Sequence, residues 1–317
     1  MGIVVMGAVF VDIKGYPYGQ YIPAGRNSGR VLQVHGGVSR NVVEDIANVE
    51  LRPTFVSVVD ESGISQDVLS KLKRHQVETR YIRTVPNGLG TWLAVFDHTG
   101  DLVAAISSRP DLSEILTILD EQGDEIISAA DSVVVEIDLE VPILKRVFEL
   151  AEKYGKSVYG VVSNMSIAME RRDLLRRMAC VVCNDQEAGL LFSEELEGLP
   201  AAELLSILPE KVEQARIPQM VVTMGDRGAI YVSLDPSTGL AAAGHVPAKN
   251  VDVVDTTGAG DSFFAGVAIG LTYGKTLPEA CEIGSRLAAS VIATKENVCP
   301  RFLPEELGIK APESAEY

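Results

Sequence analysis

The chain has 317 residues, 46% of them hydrophobic and 23% charged, which is ample for a sizeable buried core. Acidic side chains outnumber basic ones 44 to 28, for a net charge of −16, which argues against nucleic-acid binding and leaves any anionic ligand to local devices such as metal ions and helix N-termini. The apolar runs are well short of the ~20 residues a membrane span requires, and Met1 leads into a strand-like run without a basic leader, so a soluble, cytoplasmic protein with no membrane partner is expected.

In chain order, strand patterns fall at 3–9, 54–59, 132–137, 157–161, 181–183, 220–223 and 229–233. Helical patterns fall at 39–49, 65–75, 141–154, 167–178, 185–192, 201–215, 258–273 and 277–294. Alternation of this kind predicts an α/β fold with a mainly parallel central sheet and helices on both faces. Two segments break the rhythm. Residues 14–35 carry Gly15, Pro17, Gly19, Pro23, Gly25 and Gly29 between short extended pieces, and residues 90–106 alternate around the turn Asp97-His98-Thr99-Gly100. Strands inserted without helices predict a small side sheet, a lid over the site, within one domain spanning 1–317. The acidic tail after Glu305 is expected to fray.

Cys180 and Cys183 form a CxxC inside a strand-like run, where positions i and i+3 face opposite sides of a sheet. Without a second pair of ligands nearby, all four cysteines, with Cys281 and Cys299, read as reduced core thiols.

Three glycine-rich or polar turns carry the chemistry. Gly36-Gly37-Val38-Ser39-Arg40-Asn41 opens a helix. Its glycines permit close approach of a ligand, and Asn41 offers a donor and an acceptor to a polyol. The bland alternative is an ordinary turn. Asn184-Asp185-Gln186-Glu187 follows a strand, with an amide and a carboxylate on one helix face. That pair suits a hydrated magnesium ion, and it equally suits a capping box. Most informative is Asp255-Thr256-Thr257-Gly258-Ala259-Gly260-Asp261, leading into an apolar helix. Thr257 is expected to cap that helix, and the N–H groups of Gly258, Ala259 and Gly260 to form an anion hole at the positive end of its dipole. Asp261 would repel a phosphate unless proximity served a purpose, and the purpose that fits is general base.

Together with Asp12, with Thr223-Met224-Gly225 and Gly228, and with Phe263-Phe264-Ala265-Gly266 after the last motif, these turns resemble the ribokinase-like, or PfkB, family of carbohydrate and nucleoside kinases over nearly the whole chain. The resemblance implies ATP and Mg2+ as cofactors. It implies that Asp261 deprotonates an acceptor hydroxyl while Gly258, Ala259 and Gly260 stabilise the transferred phosphoryl group. Asp12, Gly36, Gly37, Arg40 and Asn41 would hold the acceptor. Asn184 and Glu187 would organise magnesium through water, and Thr223, Gly225 and Gly228, with the helix from Leu277, would border the nucleotide. Asp255 and Thr257 match a monovalent-cation site. The late loop departs from the pattern, with Asn297 where glycine is usual and Arg301 where a small polar residue is common, so the Arg301 guanidinium is expected partly to replace K+.

The GGVxRN form and the hairpin from Trp92 to Ile106 look most like pseudouridine kinases, with Arg40 as the distinguishing residue or, more blandly, a solvated helix charge. Gly88-Leu89 and Ser107-Ser108-Arg109 depart from that subfamily at positions facing the substrate, and Gly160-Val161-Val162-Ser163-Asn164 lacks the usual Asp-Pro. Another nucleoside, a free sugar as in ribokinase- or fructokinase-like enzymes, or a ligand-binding relative without catalysis are the alternatives. A dinucleotide-dependent oxidoreductase is disfavoured, because the first strand lacks GxGxxG. An exposed lid sheet suits a homodimer through the lids, the alternative being edge strands covered by charge or loops.

Overall fold

The structure, a computed structural model, describes residues 2–162, 169–170 and 172–310. The Ser163 and Asn164 positions, the start of the helix expected at 167–178 and the end of the acidic tail lie outside the described residues.

A nine-stranded sheet runs in the order β13-β12-β11-β10-β9-β8-β1-β4-β5. Its strands are β1 (Ile3–Met6), β4 (Thr54–Val59), β5 (Ile82–Thr84), β8 (Ser132–Glu136), β9 (Val158–Val161), β10 (Cys180–Asn184), β11 (Gln219–Thr223), β12 (Ala229–Leu234) and β13 (Ala241–Val246). Pairing is parallel from β11 to β5, and β12 and β13 close one side as antiparallel strands. The parallel strands are apolar on both faces and two buried clusters flank them, as helix cover on each side requires. Cys183 belongs to one cluster and Cys180 to the other, so the CxxC straddles the sheet as its spacing predicts. All four cysteines are buried and free, and burial pushes their thiols up.

A second sheet, ordered β3-β2-β6-β7, is the lid: β2 (Phe10–Pro17), β3 (Gly29–Gly36), β6 (Gly90–Phe96) and β7 (Leu102–Ser108). It reaches a few residues beyond the expected 14–35 and 90–106, because β1 stops at Met6 rather than Val9. There the Ala8 N–H donates to the Glu136 carboxylate and the chain crosses directly into β2. Tyr16 of β2 stacks on Phe96 of β6 at 4.8 Å between ring centroids, with the Arg30 guanidinium over the Tyr16 ring. Val31, Leu32, Leu93, Val103 and Ile106 leave much of the lid apolar and exposed.

Three elements lie outside the expected pattern, the short strand β5 among them. The helix Glu114–Ser128 buries Ile115, Ile118, Leu119, Ile126 and Ile127, and its Gly123 has no Cβ to clash with Leu150 of the helix Val141–Tyr154. A glycine that lowers helix propensity is there the condition for close helix packing. β13, built on three alanines and Gly244, carries little strand signal, and pairing along β12 supplies it. Among the described residues no helix is long and apolar enough to cross a membrane.

Candidate active site

Parallel strands bring their carboxyl ends to one edge of the sheet, where ligands of open α/β folds bind. Glu136 ends β8, Asn184 ends β10 and Thr223 ends β11, with Asn184 and Thr223 register partners. The lid covers part of this edge. A cavity of about 520 Å3 lies between them, lined by Phe10, Asp12, Asn41, Trp92, Arg109 and Asp261, with Glu136, Asp138, Thr257 and Gly258 also on its wall.

Asp12 and Gly36 are diagonal neighbours across the β2–β3 pair, where Gly36 is the register partner of Phe10. A Cβ at Gly36 would fall 2.2 Å from the Asp12 carboxylate, so glycine is what lets that carboxylate lie flat against the backbone. Burial raises the Asp12 pKa, against the opposing charges of Lys14 and Arg40. Gly37 caps the helix Val38–Asn48, and one turn in, the Asn41 Nδ2 donates to Asp261 Oδ2 at 2.6 Å. Two residues 220 positions apart thus meet, and the buried Asn41 Oδ1 has no partner among the described residues.

Asp261 stands in the first turn of the helix Ala259–Thr272. Burial pushes its carboxyl up to about 6; the Asn41 bond and Arg40 pull it down, and Asp12 and Glu187 push it further up. Such a group is mostly ionised near neutral pH yet basic enough to accept a proton. The cap differs from expectation. Gly258, not Thr257, is the N-cap, in a left-handed conformation (φ 82°), with no side-chain bond closing it. A Cβ there would sit 2.1 Å from the Asn297 carbonyl oxygen. The Thr257 N–H is held by Asp255 Oδ1 at 2.8 Å, and the Ala259 N–H closes onto the Thr256 carbonyl at 3.2 Å. The N–H groups of Gly258 and Gly260 have no partner among the described residues, so two donors rather than three consecutive ones are open to an anion.

A buried cross-brace fixes these pieces. Asp45, on the helix that carries Asn41, accepts from Ser262 Oγ at 2.7 Å and from the Cys299 N–H at 2.6 Å, and burial raises its pKa to about 7. Asn297 Nδ2 donates to the His35 carbonyl at 2.8 Å, tying the late loop to the GGVSRN turn.

Arg40 departs from both readings of it. Fully buried, it neither lines the cavity nor meets solvent. Its guanidinium donates to Glu44 Oε2 at 2.6 Å, to the Gly36 carbonyl at 3.3 Å and to the His35 carbonyl. The Glu44 carboxylate is also paired with Lys71; burial works to raise its pKa, and the two cations outweigh burial and lower it. Arg40 therefore supports the turn that carries the site and acts on Asp12 and Asp261 through its charge. Arg301 is corrected too. Its guanidinium pairs with Glu50 at the surface, and no bond joins it to Asp255 or Thr257 among the described residues.

Asn184 and Glu187 form the reciprocal capping box: Asn184 Oδ1 accepts from the Glu187 N–H at 2.7 Å, and Glu187 Oε2 accepts from the Asn184 N–H at 2.8 Å. Burial raises the Glu187 pKa, its charge acts on Asp261, and only its Oε2 is engaged in the capping box. Among the described residues no group of three or more His, Cys, Asp or Glu side chains converges as a full metal cage. A single carboxylate with an adjacent amide fits an ion that retains waters and phosphate oxygens, as Mg2+ does. Thr223 Oγ1 lies 3.4 Å from the Cys183 carbonyl, and Gly225 and Gly228 shape the turn between β11 and β12 with φ of 60° and 88°.

Glu136, Asp138 and Phe10 line the cavity without having been marked as site residues, and Arg109 lines it from the stretch expected to face the substrate. The Glu136 carboxylate accepts from the Ala8 and Ser39 N–H groups, and burial, followed by Asp138, raises its pKa to about 7. Arg109 pairs with Asp138. A carboxylate ending a strand at this edge is a signal the sequence offered, since 132–137 was already read as a strand.

Comparison with known proteins identifies the family and the fold. The family model described as pfkB family carbohydrate kinase matches residues 2–300. A guanosine-inosine kinase of Exiguobacterium acetylicum is 34% identical over 93% of this chain and 95% of that protein. A pseudouridine kinase of Escherichia coli is 25% identical over 84% of this chain and 82% of its own length. Among solved structures, the ribokinase of Arabidopsis thaliana complexed with ribose and ATP superposes with a TM-score of 0.78 at 20% identity, covering 96% of this chain and 97% of that one. The chain belongs to the pfkB family of carbohydrate kinases and is an ATP-dependent phosphotransferase acting on a sugar or nucleoside hydroxyl.

Proposed function

We propose that the acceptor is a nucleoside, with a 6-oxopurine nucleoside such as inosine or guanosine preferred over pseudouridine, and that its hydroxymethyl group receives the phosphoryl group. The observation that carries this reading is the composition of the cavity. Asp12, Asn41 and Asp261 offer polar contacts for a sugar, while Phe10, Trp92 and Arg109 extend the wall into an aromatic and cationic side. Its volume of about 520 Å3 is in the range of sites that enclose a drug-sized ligand, more than a free pentose uses. A guanidinium held by Asp138 presents paired donors, which match the O6 and N7 acceptors of a 6-oxopurine and not the adenine edge. The 34% identical guanosine-inosine kinase supports the same class, and the closeness to pseudouridine kinases in GGVSRN and the hairpin is the weaker pointer.

In this reading Asp12 and Asn41 orient the sugar so that its primary hydroxyl faces Asp261. The carboxylate takes the hydroxyl proton as the oxygen attacks the terminal phosphorus of ATP, and the bond to the leaving diphosphate oxygen breaks with its electron pair departing on ADP. A positioned base contributes roughly 10²- to 10⁴-fold. The N–H groups of Gly258 and Gly260 meet the charge on the transferred group. Mg2+, when bound beside Glu187 and Asn184, would neutralise the phosphates of the nucleotide. Closure of the lid excludes water as a competing acceptor.

The test is ATP consumption with Mg2+ across inosine, guanosine, adenosine, pseudouridine, uridine, ribose and fructose, with Asp261→Asn in parallel. Turnover on inosine and guanosine that falls at least about 100-fold in the variant is expected. Turnover on ribose or fructose alone refutes the acceptor and keeps the chemistry. Binding without turnover on any of them refutes the catalytic role of Asp261.

A further inference from the structure

Lys14 has a place in the site that neither the motifs nor the cavity wall reveals. It lies in β2 two residues after Asp12, so both side chains leave the same face of the lid strand. Its side chain is nearly buried, with 8% exposure, and its Nζ reaches to 3.5 Å from Thr257 Oγ1. Thr257 immediately precedes Gly258, whose free N–H belongs to the anion hole. No carboxylate is ion-paired with this ammonium among the described residues. Asp12 acts on it only through longer-range charge, and Asp255, the nearest acidic residue in sequence to Thr257, has one carboxylate oxygen committed to the Thr257 N–H.

An ammonium taken from water without a counter-charge costs several kcal/mol, so buried lysines are found paired or facing an anion. Here the ammonium stops at the rim of a helix N-terminus that already favours an anion. We infer that Lys14 is a catalytic residue: its ammonium contacts the phosphoryl group during transfer, completing on the lid side the anion hole that Gly258 and Gly260 begin. The inference rests on the phosphotransfer reading above. It also supplies, from the lid, the fixed cation that Arg301 does not bring to this loop.

The balance of the step is unchanged. Lys14 contributes charge only and forms no covalent bond, while the acceptor proton goes to Asp261 and the electron pair of the broken P–O bond to ADP. Because the cation rides on a lid strand that also carries Asp12, acceptor binding at Asp12 and charge compensation at the anion hole are delivered by one rigid segment, two residues or about 7 Å long.

The experiment compares Lys14→Met, which keeps the stem and removes the charge, with Lys14→Arg, which keeps a charge. Loss of one anion-hole donor costs about 10²- to 10³-fold in kcat elsewhere, and a fall of at least about 100-fold is expected for Lys14→Met with KM for the nucleoside changed by less than about threefold. Lys14→Arg is expected to retain more activity than Lys14→Met. Two further readouts do not need turnover. The ligand-free Lys14→Met protein is expected to melt at a higher temperature than wild type, since a buried charge with no paired carboxylate has gone, whereas a lysine serving packing would melt lower when replaced. Nitrate, a planar mimic of the phosphoryl group in flight, is expected to raise the melting temperature of wild type with MgADP and inosine, and to lose that effect in Lys14→Met. If wild type turns over and Lys14→Met keeps its kcat within threefold, or if the nitrate effect survives the substitution, the inference is overturned. If no acceptor is turned over at all, the phosphotransfer reading fails by itself, and the stabilisation by inorganic phosphate, lost or kept in Lys14→Met, still decides whether Lys14 meets an anion. Should Lys14→Met fail to fold, Lys14→Gln carries the same comparison.

Discussion

Replacing Asn41 by leucine probes the contact on which the proposed base depends. Asn41 is 5% exposed, so leucine fills its volume without new solvent contact, and the substitution deletes the 2.6 Å bond to Asp261 Oδ2. That bond favours the ionised carboxylate, whose pKa burial has already pushed up to about 6. A hydrogen bond to a charged group is worth about 1.5–3 kcal/mol, and a tenfold change in proton affinity about 1.4 kcal/mol. The acid limb of kcat/KM is therefore expected near pH 6 in the wild-type protein and at about pH 7 to 8 in Asn41→Leu. At pH 7 the ionised fraction falls from about nine-tenths to between one-half and one-tenth, a loss of roughly two- to tenfold through ionisation alone. Raising the pH to 9 restores that part, and whatever deficit persists at pH 9 measures the contact between Asn41 and the acceptor. The assay is a pH profile of kcat/KM from 5 to 9 for wild type, Asn41→Leu and Asp261→Asn, the last giving a flat residual. An acid limb that stays near pH 6 in Asn41→Leu, or a deficit equal at every pH, would falsify the claim that Asn41 tunes Asp261.

Stability should fall as pH rises from about 4 to 7, because Glu136 and Asp45 bind protons in the folded state up to about pH 7 and release them near pH 4 when unfolded. The folded state thus holds more protons across that window, and the sign is loss of stability with rising pH. Glu136→Gln, whose amide oxygen still accepts from Ala8 and Ser39, should flatten the trend by on the order of 2–3 kcal/mol between pH 5 and 8 in urea titrations. A wild-type protein that instead gains stability over this range is the contrary result. Arg40→Met should destabilise by about 1.5–3 kcal/mol, since it leaves the buried Glu44 with Lys71 alone and removes the donor to the Gly36 carbonyl, and Arg40→Met with Glu44→Leu should recover much of that loss. Denaturation of the single and double variants decides it; a cost below about 1 kcal/mol for the single variant contradicts the supporting role.

The parts of the site legible in the sequence are those that the local backbone dictates. Gly36 against the Asp12 carboxylate and Gly258 with its positive φ against Asn297 are positions where any Cβ fails, and turns of this kind announce themselves as glycines ahead of an apolar helix. Alternation of strands and helices likewise carried the central sheet, because each strand between buried faces must be apolar throughout. What stayed hidden depends on distant neighbours. Gly123 in an acidic stretch signals a weak helix until Leu150 is seen against it, and the alanines of β13 signal no strand until β12 pairs with them.

The charged residues are the harder case, since a lone Arg or Lys in a sequence has no address. Arg40 sits in a ligand-binding turn, yet its partners Glu44 and Lys71 turn it into a support for that turn. Arg301 stands in the expected loop, yet Glu50 draws it to the surface. Lys14 lies in a strand that predicts only a lid, yet the fold brings it across 243 positions to Thr257. In each case the function of the cation is set by which anion the tertiary structure leaves within its reach. Arg40 and Arg301 already have theirs in Glu44 and Glu50, so they are unavailable for ligand charge. Lys14 lacks a paired carboxylate among the described residues and faces an anion-binding helix terminus, which makes it the cation whose charge is still open to compensation by substrate.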